Sequence, residues 1–317
     1  MIAKEGEGKM PKLKNSHQLT PSGAQWLLFT IVLLWFFFTF IYTILHSFLS
    51  FEKPNGYLLQ MSLQIFTILI PAALYLYPKN IDITETFLIH RLDRKNLFLL
   101  IGLGVCMQFL CRSLNALMVL LLEGLGANSP ASSLAVPDSF ASGVLAVFAV
   151  VLVPAVTEEL LMRGVVLHAY LWRGNRAAIA ASAFLFGLLH LDLRNFLSTA
   201  LLGVLLAYVV LETGSVFAGI VLHGTNNLLV LLGYMIERNI PVLWMEIALT
   251  VLVVISLLAM PALLRSFRLH NRENPSRMDL PMKRSVPYEL GRTVFSLPGL
   301  LMLAAYVLVQ IQLFGKG

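Results

Sequence analysis

Two adjacent carboxylates, Glu158 and Glu159, and a guanidinium, Arg163, stand near the middle of Val151–Tyr170, an otherwise apolar run long enough to cross a membrane. An ionisable side chain at bilayer depth costs a few kcal/mol or more, so such a cluster needs partners and a purpose. Glu159 and Arg163 are four residues apart, share a helix face and can pair with each other. Glu158 lies about 100° round the helix, on another face, and its carboxylate is left free to face a cavity. A second feature is Phe186–His190, FGLLH, in the next apolar run. Glu158 precedes Arg173 by 15 residues and His190 follows Arg176 by 14. At about 1.5 Å per residue, two antiparallel helices joined at Arg173–Arg176 bring the two side chains to the same depth. A third feature is His223–Asn227, HGTNN, where His223 and Asn227 share a face and Gly219 and Gly224 permit close approach. Asn226 reads as a polar clamp between helices.

This set suits the activation of water. A carboxylate with a histidine can orient and deprotonate a water molecule, and a histidine with an asparagine can donate hydrogen bonds to an oxyanion forming on a carbonyl. No serine sits in a G-x-S-x-G setting, neither cysteine has a histidine near it in sequence, and no H-E-x-x-H helix is present. Glu158, His190 and His223 also form a mixed carboxylate–histidine set of the kind that holds zinc with one position open for water. The residues alone leave the metal-free and zinc readings both open.

The elements that position these groups are apolar runs of about 20 residues, which predict an all-α polytopic transmembrane bundle of about eight or nine spans. The runs are Trp26–Leu49, Tyr57–Tyr77 with a kink expected at Pro71, Leu97–Leu122, Phe140–Trp172, Ala177–Leu191, Phe196–Leu211, Val216–Ile236, Val242–Leu264 and Thr293–Phe314. Arg112 and Asn115 share one face of the third. Met1–Gly23 is a polar tail expected to be disordered, and residues 24–317 read as a single membrane domain with its chemical core at about 140–232. Tight turns are expected at Phe51–Gly56 and Arg173–Arg176, a Gly/Ser/Pro-rich connection at Glu123–Ser139, and a long basic loop at Arg265–Arg292. Of the 23 Lys and Arg residues, 17 fall in alternate connections counted from the N-terminus and only four in the others, which places the N-terminus in the cytosol of a prokaryotic plasma membrane.

Composition agrees. The chain is 58% hydrophobic and 13% charged, against about 45–50% and about 25% for soluble domains. The runs are continuous rather than alternating, which argues against a β-barrel. The net charge of +6 sits in the connections and reads as topology and contact with anionic lipid. The basic, aromatic-interleaved surface of a nucleic-acid binder is missing. Cys106 and Cys111 lie in one apolar run and read as small buried side chains.

Taken in order on three apolar helices, Glu158-Glu159-x-x-x-Arg163, Phe186-x-x-x-His190 and His223-x-x-x-Asn227 resemble the CPBP family, the CAAX-protease and bacteriocin-processing group also called ABI, which includes the type II CAAX prenyl endopeptidases. The resemblance covers about Phe140–Leu232. It implies an intramembrane endopeptidase with a polar cavity inside a helical bundle, acting on a membrane-associated or lipidated peptide or protein. It further implies that Glu158 and His190 activate the water while His223 and Asn227 stabilise the oxyanion. The family is described both as metalloproteases and as metal-independent glutamate proteases, so zinc stays open. A ninth span and the basic loop depart from the family's pattern. Two other readings use the same residues. One is a proton-coupled transporter, against which the lack of an internal repeat argues. The other is a non-catalytic binding or immunity protein on the same scaffold.

Overall fold

The computed structural model describes residues 19–49, 55–127, 136–237 and 240–314. The tail expected over Met1–Gly23 and the turn at Phe51–Gly56 lie largely outside them, and the connection at Glu123–Ser139 about half outside. The described residues are helical: α1 Pro21–Leu49, α2 Gly56–Lys79, α3 Arg94–Gly124, α4 Phe140–Arg173, α5 Asn175–Leu189, α6 Leu193–Thr213, α7 Val216–Glu237, α8 Val242–His270, α9 Val286–Val294 and α10 Leu297–Phe314. Eight of these are long and apolar enough to cross a membrane, and α5, with 15 residues, is the short one. The chain is an integral membrane protein.

Local chemistry sets the ends. Asp93 caps α3 by accepting from the Asn96 amide. Ser139 and Ser142 form a reciprocal capping box at the start of α4, and Asp192 caps α6. Each cap satisfies amides that the first turn leaves without partners. Just before Pro71, where a kink is expected, the helix has a widened turn. Residues Ile65–Leu69 are π-helical, and the Ile70 amide reaches back five residues to Ile65. The same device, Val147–Leu152, precedes Pro154 in α4. A third π-helical stretch, Leu160–Leu167, follows Glu159 at once and contains Arg163. Such stretches concentrate at functional sites.

In lipid, helices associate through close packing rather than by hiding apolar surface from water. Accordingly α5 presents Ala177, Ala178, Ala181, Ala183 and Gly187 as buried residues and packs most intimately on α6. Gly203 of α6 faces Ala183 so closely that an added Cβ would stand 3.0 Å from its Cα. Helix α3 packs on α6, α7 and α8, and α4 packs on α7. The outer faces carry bare apolar side chains, Phe98 on α3 and Leu243, Ile255 and Leu258 on α8 among them, as a lipid-facing surface should.

The connections that the Lys/Arg count places on one side come together at one end of the molecule. The Ser215 hydroxyl donates to the His90 carbonyl (2.5 Å), and the Val216 amide donates to Leu88 (3.0 Å). Gln25 at the start of α1 donates to the Thr293 carbonyl (2.9 Å). The basic loop expected over Arg265–Arg292 takes a different form. Helix α8 continues to His270, and residues 271–285 then lie as a strap across the other turns. Met278 donates to Leu211 (2.9 Å), Lys283 donates to Arg173 (3.0 Å), and Asn271 exchanges hydrogen bonds with Asn96. Arg277 of the strap pairs with Glu212 (3.0 Å), and beyond the strap Glu289 of α9 pairs with buried Arg173 (2.7 Å).

Candidate active site

Helix α4 carries Glu158 and Glu159 into the bundle between α2 and α7. Glu159 and Arg163 are both fully buried and form the expected pair, Oε2 to Nε 3.1 Å. The contact is attraction between charges rather than an aligned hydrogen bond, because Nε, Nη1 and Nη2 have no hydrogen-bond partner among the described residues. The guanidinium instead lies over the ring of Phe186, 5.2 Å from its centre, a cation–π contact. That contact gives the motif phenylalanine a physical role: it covers a buried cation with the negative face of a ring.

Glu159 has a second partner. Its Oε1 accepts from His223 Nδ1 at 3.1 Å. An ionised carboxylate can only accept, so Nδ1 carries the hydrogen. The other ring nitrogen, Nε2, lies 4.0 Å from Glu158 Oε2. The two neighbouring carboxylates thus bracket one imidazole. Gly219 makes this possible, since a Cβ there would overlap Glu159 Oε2.

Glu158 is held from the other side. Gln64 of α2 donates to its Oε1 (3.1 Å) and accepts from the Thr157 hydroxyl (3.0 Å). His190 follows the last residue of α5, and its Nδ1 donates to the Phe186 carbonyl (2.8 Å), which leaves Nε2 without a hydrogen in the neutral ring. Its ring meets Phe186 edge to face at 4.7 Å, and Phe186 meets His223 at 5.9 Å. Asn227 lies one turn beyond His223. Its Oδ1 accepts from Asn226 (3.3 Å), and its own amide hydrogens are unclaimed among the described residues. Asn226, expected to clamp two helices, is buried, but it bonds only to Asn227 of its own helix among the described residues, and its Oδ1 has no partner.

A cavity of about 680 Å³ lies between α3, α6 and α7. His190, His223 and Asn227 are in its wall, with Arg112 and Asn115 of α3. Glu158 is not in the wall, and its link to the cavity is His223. The structure therefore brings His223, Asn227 and His190 to one space and Glu158 against His223, while no hydrogen bond or ion pair joins Glu158 to His190 among the described residues. Arg112 is ion-paired across the cavity with Glu237. The sequence reading missed Gln64, whose only signal is an amide in an apolar span.

The zinc set of Glu158, His190 and His223 does not converge. Among the described residues no three His, Cys, Asp or Glu side chains gather as a metal site. The residues as arranged do not fit a zinc ion. Both cysteines are buried free thiols, as expected.

Residues 140–229 match the family model for type II CAAX prenyl endopeptidase Rce1-like proteins. No curated protein and no solved structure matches the chain. The matched stretch begins with α4 and ends inside α7, so it contains the whole ordered set from Glu158 to Asn227. Residues 140–229 are a domain of the Rce1-like type II CAAX prenyl endopeptidase family.

Proposed function

We propose that this chain is an intramembrane peptidase that hydrolyses peptide bonds with a water molecule held between Glu158 and His223. The observation that supports it is the bracketing of His223, with Glu159 fixing Nδ1 at 3.1 Å and Glu158 facing Nε2 at 4.0 Å. A polar separation of that size suits one bridging water. His223 here takes the water-orienting place that the sequence reading gives to His190.

Glu158 accepts a proton from the water as its oxygen bonds to the carbonyl carbon. The oxyanion formed is met by the unclaimed amide hydrogens of Asn227. On collapse the C–N bond breaks, and Glu158 returns the proton to the leaving amine. His190, in the cavity wall with Nε2 free of a hydrogen, can accept a hydrogen bond from the leaving amine. Glu159 and Arg163 stay fixed throughout and hold the imidazole.

The test is cleavage of a library of membrane-associated peptides, prenylated and not, by the purified protein and its Glu158→Gln variant. Glutamine at position 158 keeps the acceptor for Gln64 but cannot take up a proton. Turnover should fall by about 10²–10⁴-fold, the usual worth of a positioned general base, with helicity unchanged. A fully active variant refutes the mechanism.

A further inference from the structure

The direction in which the cavity opens has a bearing on substrate. Its lining begins at Gln108 and His223, partway along α3 and α7. The lining extends from there to Glu123, Arg194 and Glu237. These three stand at the last turn of α3, the first turn of α6 and the last turn of α7. All three ends are opposite to the one where Arg94, Arg173 and Ser215 lie. The cavity therefore opens away from the basic end.

The basic end is also closed. The strap of residues 271–285 lies directly on two turns of that end. Gly214 (φ +62°) has the Ser276 backbone against it, and Gly174 (φ +99°) has the backbone of Pro281 and Met282 against it. Both glycines adopt the left-handed region that side chains disfavour, and an added Cβ at either would meet the strap. The two ends of the bundle thus differ in kind: one is sealed by backbone packed on backbone, and the other carries the entrance.

The Lys/Arg distribution assigns the sealed, basic end to the cytosol. We infer that the site is loaded from the non-cytosolic face, so that its substrate is a polar peptide segment already exported or anchored outside, and not a tail presented in the cytosol. This inference rests on the peptidase reading for the word substrate, and on geometry and charge alone for the side of entry. The wall suits such a segment, since Gln108 and Asn115 present side-chain amides there for a peptide backbone.

The experiment is sided thiol labelling of the full chain with a membrane-impermeant maleimide. In a Cys106→Ser, Cys111→Ser background, Thr199→Cys or Val230→Cys places a thiol in the cavity wall on facing helices. Arg176→Cys marks the exposed turn of the basic end. In sealed right-side-out vesicles both cavity thiols should label and Arg176→Cys should not. In inverted vesicles the pattern should reverse. Cavity thiols that label from the same side as Arg176→Cys, or that label from neither side, overturn the inference. Labelling needs no turnover. An inactive preparation or a fully active Glu158→Gln variant therefore removes the peptidase reading and leaves the side of entry standing, whereas wrong-sided labelling does the opposite.

Discussion

Two glycines one and a half turns apart on α7 should respond to the same substitution with opposite signs. At Gly219 an added Cβ would overlap Glu159 Oε2 and approach its Cδ and Val210 Cγ2 to 3.1 Å. The carboxylate cannot step aside cheaply, because it is fully buried and held by Arg163 and His223 at 3.1 Å each. Overpacking of this kind costs about 1–3 kcal/mol, and replacing glycine within a helix returns about 1 kcal/mol. Gly219→Ala should therefore destabilise by up to about 2 kcal/mol, more if the charged hydrogen bond to His223, about 1.5–3 kcal/mol, is lost as well. At Gly224 the nearest atom is Ala155 Cβ at 3.8 Å, ordinary contact. Gly224→Ala should thus stabilise by about 0.4–1 kcal/mol. The assay is reversible unfolding in detergent micelles followed by circular dichroism, with peptide cleavage measured on the same samples. Gly219→Ala should lose turnover along with stability, and adding Glu159→Asp, which shortens the carboxylate, should recover part of the stability. Equal responses at the two glycines, or no recovery with Glu159→Asp, would refute the packing argument.

Two further outcomes follow from the same cluster. Either Glu159→Ala or Arg163→Ala leaves one buried charge without its partner and should cost about 3–5 kcal/mol. The double variant should cost less than the sum, and additive losses in micelle unfolding would count against the pair. Gln64→Leu removes the donor that holds Glu158 Oε1, a bond of about 1.5–3 kcal/mol, so turnover should fall by about 10–100-fold. Its KM should be unchanged because Gln64 acts through Glu158. A raised KM with normal kcat would assign Gln64 to substrate binding instead.

The helices were legible because a bilayer demands continuous apolar runs, and each run in the sequence corresponds to a helix within a few residues. The last run differs, since α9 ends at Val294 and α10 begins at Leu297 after a break at Phe295–Ser296. The Glu159–Arg163 pair was legible as a local i, i+4 relation. The partner of Glu158 was not, because Gln64 lies 94 residues away and a single amide in a span is a common, tolerated feature. Matched depth paired Glu158 with His190, whereas among the described residues the partners of Glu158 are Gln64 and His223. It could not say which histidine faces the carboxylate, as that depends on helix rotation, and the π-helical stretches of α4 change rotation without leaving a pattern in the sequence. The strap was hidden for a related reason: its partners lie far off in the sequence, as Asn96 does from Asn271, 175 residues away.

The shortness of α5 has a consequence of its own. Its 15 residues extend about 22 Å, while the 22 residues of α7 extend about 33 Å, and a hydrocarbon core measures about 30 Å. Both helices start at the sealed end, so α5 stops partway up a shaft whose walls continue past it, with His190 standing on the ledge. The polar well is thus dug by leaving one helix unfinished rather than by pushing helices apart, and the surrounding close packing survives intact. Chain length in α5 acts as a depth setting. One added turn, about 5.4 Å, would raise the ledge and narrow the well above it without altering any residue of the site.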